Sequence, residues 1–407
     1  MKNAQPAALD GLTVLDLSRV MAGPWCCQML ADLGANVIKV EHPQQPDDTR
    51  LWGPPFFRGD AGEDAAYYLA ANRNKSAMAV NFADPAGAEL VRDIARKSDI
   101  VVENYKTGSL ARYGLDYENL KMENPRIVYC SITGFGQTGP LAGRGGYDFL
   151  IQAMSGLMSV TGHPEDNQGP VKVGIPVADL MTGQFAATAI LAAVVHRLKT
   201  GEGQHIDCAL YDSQLAALSN QAMNYLVGGE VPRRLGNAHP NVIPYQDFQG
   251  ANGRIVVAAG SDRQFRSVCK VLGLAELCDD QRFATNKARL ENRELLVSIL
   301  TAATVSRDVE SLVDALNAAG VPAGCINDIG EAFSHQHVRE RQIVRSMVRD
   351  DGREVPTVAF PARLSRTPAS YRKPPPRFGE DTDHILRDFL GKDPRAIAEL
   401  RARGVIA

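Results

Sequence analysis

The chain lacks most features that mark a metalloprotein, a secreted protein or a nucleotide-binding enzyme. Its seven cysteines (Cys26, Cys27, Cys130, Cys208, Cys269, Cys278 and Cys325) are scattered, and no CxxC pair occurs. An odd count without a framework excludes a disulfide scaffold and fits reduced, mostly buried thiols. The eight histidines show no HxxxH or HExxH spacing, and His335 and His337 stand in a charged helical context that reads as a solvated face. No metal site is expected from such a set. No run of about 18 uninterrupted apolar residues occurs, so no membrane span is expected. The longest candidate, Phe185 to Val195, fits a buried core helix. Met1 to Gly11 has neither an apolar signal core nor an Arg-rich transit character, and a cytoplasmic location is the expectation. A net charge of −3 argues against nucleic acid or an anionic membrane as the main partner. GxGxxG and GK[ST] are both absent, which leaves a dinucleotide or ATP site without its fingerprint.

What is present is an ordinary globular composition, 44% apolar and 22% charged over 407 residues. That length suits two domains, or one large domain with a smaller one inserted. Through residue 210, short apolar runs alternate with helical patterns. Leu12 to Leu17, Ala35 to Val40, Asp99 to Glu103, Arg126 to Thr133 and Gln204 to Leu210 read as strands. Gly23-Pro24 opens a helix through Asp32, and Asp84-Pro85 opens another toward Lys97. Strands separated by helices predict an α/β fold with a parallel sheet covered on both faces.

From Val227 to Tyr245 the chain is rich in Gly, Pro and Asn, which marks a boundary. A short β segment, Arg254 to Ala258, and several amphipathic helices follow, to about Ser334. One helix has Ser306 as its expected N-cap, acids Asp308 and Glu310 in its first turn, and Gly320 as its stop. Pro356, Pro361, Pro368 and Pro374-Pro375-Pro376 then predict an extended surface crossing. Two helices end the chain, the last between Asp393-Pro394 and Gly404. The division expected is 1–225 for a large domain, 226–335 for a small α/β domain with its linkers, and 336–407 for a linker and a return to the large domain.

One acid stands out. Asp179 follows Val171 to Ala178 and directly precedes the apolar run Leu180 to Val195. On position alone it reads as an N-cap. A helix start also offers unpaired N–H groups and a partial positive charge, which favour an ionised carboxylate. Such a carboxylate beside apolar walls can act as a nucleophile. Three segments carry more Gly, Pro and Asn than packing needs: Arg19 to Pro24, Thr133 to Asp148, and Gly236 to Pro240. Each alone could be a plain turn.

Together these segments resemble the class III CoA-transferases, also called the CaiB/BaiF or formyl-CoA transferase family. The resemblance runs through Leu12 to Pro24, Leu33 to Glu41, Asn72 to Ser76, Asp99 to Asn104, Ser131 to Gly136, Val177-Ala178-Asp179 with Thr182-Gly183, and Pro374-Pro375-Pro376 with Gly379. It spans nearly the whole chain in the right order. It implies an aspartate nucleophile at Asp179, and a path through an aspartyl anhydride and an aspartyl-CoA thioester. It also implies a large Rossmann-like domain whose sheet is formed by both chain ends, a smaller α/β domain, and an interlocked homodimer. Coenzyme A would be a substrate, with no tightly bound cofactor.

The positions matching the family's CoA contacts are Met21, Ala22, Asn104, Tyr105 and Arg112, with Arg144 and Lys39 as further phosphate contacts. Met21 stands where formyl-CoA and oxalate enzymes carry a Gln, and it cannot supply the amide hydrogen bonds. Tyr147 stands where the related racemases carry a His, and a phenol is a poor base near neutral pH. Asp48-Thr49-Arg50 with Trp52 to Phe56, and Ile243 to Phe248, resemble the subgroup using succinyl-CoA and glutarate-type dicarboxylates. Arg50, Arg73 and His239, with Tyr147, are the substrate candidates. The competing readings are an acyl-CoA racemase or epimerase and a non-catalytic CoA-binding protein.

Overall fold

The computed structural model describes residues 6–59, 62–164 and 169–407. The first five residues of the N-terminal stretch lie outside them. The chain divides into two compact units. Unit 1 comprises Met1–Leu157, Lys172–Gly229 and Arg339–Ala407, and unit 2 comprises Met158–Val171 and Glu230–Val338. Residues 158–171, read from the sequence as part of the large domain, cluster with unit 2 instead.

Unit 1 is built on six parallel strands: β1 (Thr13–Asp16), β2 (Asn36–Glu41), β3 (Lys75–Ala79), β4 (Ile100–Glu103), β5 (Val128–Thr133) and β6 (Gln204–Ala209). Their order is β3-β2-β1-β4-β5-β6, with every neighbouring pair parallel. This is a doubly wound sheet whose winding reverses between β1 and β4, and ligands bind outside the strand carboxyl ends at that point. The central strands β1, β4 and β5 are buried on both faces, so they read as mostly apolar runs rather than alternating ones, whereas the edge strand β6 is largely exposed.

One face is covered by α1 (Ala22–Asp32) and by the long helix that carries Asp179. Both pack in one core: Ala22, Cys26, Cys27, Leu30, Ala186 and Ile190 share it with β1, β4 and β5. The opposite face is covered by α2 (Pro85–Arg96), which Asp84 caps by accepting from Ala86 N–H, and by the C-terminal residues Ile385, Leu386, Ile397, Val405 and Ile406. The sheet is therefore not formed by both chain ends. The C-terminal segment lays its apolar side chains on the sheet and adds a single isolated bridge, Ile406 to Val80, among the described residues. Pro356 lies in a two-stranded hairpin, Val344–Val348 with Glu354–Val358, where the sequence reading expected an extended crossing. A two-stranded ribbon is all edge, and that is where proline is tolerated.

Unit 2 holds a three-stranded antiparallel sheet, with Gly253–Ala258 central between Tyr245–Gly250 and Ala323–Cys325. Its own core includes Phe248, Ile255, Phe265, Leu296, Leu300 and Leu312. The helix Val309–Ala318 is capped by Asp308, which accepts from Ser311 N–H, and not by Ser306.

Candidate active site

A cavity of about 230 Å³ opens at the winding reversal of unit 1. Its walls come from the loop after β1 (Arg19 to Ala22), Asp48, the loop after β4 (Asn104 to Thr107), the end of β5 (Ile132 to Gly134), Ala142 with the segment Arg144 to Tyr147, Asp179 and Leu210. Two glycines make this possible. A Cβ on Gly134 would lie 2.7 Å from Gly146 Cα, and one on Gly146 2.6 Å from Gly134 Cα, so the two loops cross backbone to backbone. That crossing delivers Tyr147 and Asp148 to the start of the next helices, α3 (Asp148–Met154) and α4 (Val177–Thr200).

Asp179 is the third residue of α4, and its N-cap is Pro176, which offers no side-chain bond. The capping role belongs to Asp148. Its Oδ1 accepts from Ala178 N–H at 2.8 Å and its Oδ2 from Gln152 Nε2 at 2.7 Å. Gln152 also accepts from Val173 N–H at 2.9 Å and so fixes the chain entering α4. The Ala178 N–H at the helix start is thereby spent on Asp148, and Asp179 pairs with no cation among the described residues. Burial first, and then the charge of Asp148, push its carboxyl up to about 7. The sequence argument from the helix start expected ionisation to be favoured; desolvation outweighs it here. Helix α4 is the one described helix long and apolar enough to cross a membrane, but it packs in the core beside α1 as an interior helix does. Gly183 permits that contact, since a Cβ there would meet the Ala22 carbonyl oxygen at 2.7 Å.

The remaining sequence candidates divide into three groups. Met21, Ala22, Asn104, Tyr105, Arg144 and Tyr147 all line the cavity with Asp179. Asn104 spends its amide on the backbone of Arg19, accepting from its N–H at 2.9 Å and donating to its carbonyl at 2.7 Å. Arg144 is exposed, with its guanidinium over the Phe135 ring at 6.0 Å.

Lys39, Arg50 and Arg73 are buried and committed elsewhere. Lys39 donates to the Ser18 carbonyl at 2.8 Å and pairs with Asp47 at 3.0 Å, so it cannot reach a phosphate. Arg50 is locked by Glu41 and Asp64, each at 2.7 Å, and by the Tyr68 hydroxyl. Arg73 pairs with Asp32 at 2.5 Å and donates to Thr357 Oγ1. A lysine or arginine inside a buried strand or motif is affordable only when paired, and these carboxylates are the partners.

Arg112 and His239 are not brought to the cavity wall. Arg112 is exposed and stacks over the Tyr113 ring at 4.6 Å. His239 belongs to unit 2, where its Nδ1 accepts from Asn241 N–H.

Two residues that the sequence did not single out bear on Asp179 without lining the cavity. Asp148 was legible as an acid behind Gly145-Gly146 but was not singled out. Tyr67, edge-to-face with Trp52 at 5.2 Å, carried no sequence signal. Burial, then the charge of Asp179, raise its hydroxyl to about 12, so it stands near Asp179 as a neutral phenol.

With this geometry in place, similarity to known proteins is specific. Residues 9–382 match CoA-transferase family III. The chain is 47% identical over 391 residues to a succinate–glutarate CoA-transferase of Agrobacterium fabrum, covering 96% of this chain and 97% of that one. It is 44% identical to the human succinyl-CoA:glutarate CoA-transferase, covering 100% of this chain and 91% of that one. The crystal structure of a CaiB/BaiF family protein from Brucella suis superposes with a TM-score of 0.83 at 45% identity, covering 94% of this chain and 100% of that one. The sequence, the wound sheet and the cavity agree, and the chain belongs to CoA-transferase family III.

Proposed function

We propose that this CoA-transferase moves CoA from succinyl-CoA to a dicarboxylate such as glutarate, with Asp179 as the covalent nucleophile. The observation that carries the chemistry is an unpaired carboxylate, pushed up to about 7, in the cavity at the sheet's winding reversal. The named activities of the Agrobacterium and human relatives support the substrate class.

Asp179 attacks the donor thioester carbonyl, forming an aspartyl mixed anhydride and releasing CoA thiolate. The thiolate attacks the aspartyl carbonyl, giving an aspartyl-CoA thioester and freeing the donor acid. The acceptor carboxylate attacks that thioester, forming a second anhydride and releasing the thiolate. The thiolate then attacks the acyl carbonyl of this anhydride, giving the new acyl-CoA and restoring Asp179. Splitting one exchange into anhydride and thioester steps is covalent catalysis, and the thioester's energy passes from one acid to another. A partly desolvated carboxylate with no cation to quench it suits the first attack. The oxyanions need fixed donors, a role open to loop N–H groups.

The racemase reading draws less support, because no histidine stands among the described residues lining the cavity. A homodimer draws support from the adjacent apolar side chains Leu226 and Val227 at the end of one helix of unit 1, 71% and 80% exposed.

The test is exchange between succinyl-CoA and a panel of acids, with products identified by mass and Asp179→Ala run in parallel. New thioesters from the unmodified enzyme alone are expected. Equal exchange by the variant removes Asp179 from the reaction, and no exchange with any acid removes the transferase reading.

A further inference from the structure

We infer that Arg19 reads the far carboxylate of the dicarboxylate, an assignment that rests on the transferase reading just given. A second carboxylate carried into a partly desolvated cavity needs a cation or several N–H donors. The arginines expected for this task from sequence, Arg50 and Arg73, already hold buried carboxylates. Three cations line the cavity: Arg19, Lys106 and Arg144.

Of these, Arg19 is the one placed on a backbone built to hold it. Both of its backbone groups are bonded to the Asn104 side chain. The next residue, Val20, has φ +71°. A β-branched residue in the left-handed region is strained and persists only where its surroundings impose it. Here Val20 N–H donates to both oxygens of Asp47 at 3.2 Å, and buried Lys39 holds Asp47 in turn. These bonds hold the backbone at Arg19 and Val20 in place.

Its guanidinium makes only a long ion pair. The partner, Asp48, also lines the cavity and stands 3.9 Å away, too far for a hydrogen bond, with the two side chains 38% and 56% exposed. The guanidinium lies over the Tyr105 ring at 5.6 Å, a cation–π contact. A substrate carboxylate can take two bonds there that Asp48 does not make. Arg144 lacks comparable anchoring, being exposed among Gly143, Gly145 and Gly146. Lys106 is an exposed point charge without the planar fork.

The experiment compares unmodified enzyme, Arg19→Gln and Arg19→Lys in two measurements. One is the KM for glutarate at saturating succinyl-CoA, and the other is calorimetric affinity for free CoA, which has no acyl carboxylate. Arg19→Gln is expected to raise the glutarate KM roughly 10- to 100-fold, the size of a lost charge-assisted carboxylate bond. CoA affinity should stay within about threefold. Arg19→Lys should recover part of the loss, because it keeps the charge without the fork. A glutarate KM that does not move overturns the assignment. So does a parallel loss of CoA affinity, which would place Arg19 on the nucleotide phosphates. Failure of the unmodified enzyme to transfer CoA to any dicarboxylate removes the functional reading itself.

Discussion

Asp179 is defined by what it lacks. It sits in the first turn of α4, yet the helix-start donor at Ala178 is taken by Asp148. Burial, and then the charge of Asp148, hold its proton up to about 7, against an ordinary 3.8. Attack requires the carboxylate, so kcat/KM for the acyl-CoA should fall about tenfold per unit as pH drops below about 7. Asp148→Asn keeps an oxygen for the Ala178 N–H and removes the charge. It should move that acid limb to lower pH, and pH–rate profiles of both proteins check the shift. The folded protein binds this proton more tightly than the unfolded chain does. Stability therefore falls as pH rises from about 4 through about 7. Asp179→Asn should stabilise the protein at pH 8 by on the order of 1–2 kcal/mol after allowing for partial exposure, and by little near pH 4. Thermal melts across that range read the difference. The candidate nucleophile was legible because an acid before a long small-residue helix is conspicuous. Its protonation was not, because desolvation depends on which loops close over it.

At the scale of elements, the loop between β1 and α1 is held by charges beneath it. Asp16, at the end of β1, accepts from Ser18 and from Lys75 at 2.9 Å. Burial alone would raise its carboxyl, but Lys75 and Lys39 together with Ser18 keep it below the usual range. Lys39 and Arg50 serve the same layer. Replacing either with Met should cost about 3–5 kcal/mol by stranding its buried carboxylate. Denaturant melts would show this, whereas a phosphate contact at Lys39 would instead raise the KM for CoA in a protein of normal stability. Most strands and helix starts in unit 1 were readable from apolar runs and from Asp-Pro or Gly-Pro signals. Strand β3 was harder, because Asn72-Arg73-Asn74-Lys75 looks polar and is buried only through its ion pairs. The roles of Lys39, Arg50 and Arg73 were misread for a related reason. A sequence shows a cation within a motif but not the carboxylate that has already claimed it. Asp32 lies 41 residues from Arg73, and Asp64 lies 14 residues from Arg50.

For the whole molecule, the order of chemistry along the chain follows the winding of the sheet. The cavity is assembled from segments after β1, β4 and β5 and from the start of α4, which are far apart in sequence and adjacent at the winding reversal. The family resemblance made that convergence readable in advance. The C-terminal return was less readable, since it contributes apolar cover rather than strands. The exposed apolar pair Leu226 and Val227 gives an expectation for solution behaviour. Sedimentation should find a dimer, and Leu226→Glu should weaken it if this face is the contact. The most direct measurement is mass spectrometry of the protein quenched in acid during turnover with succinyl-CoA, then digested. The peptide carrying Asp179 should bear CoA as a thioester that hydroxylamine removes, and Asp179→Ala should carry none. A label on another residue, or exchange proceeding with no covalent species at any time point, would contradict Asp179 as the nucleophile.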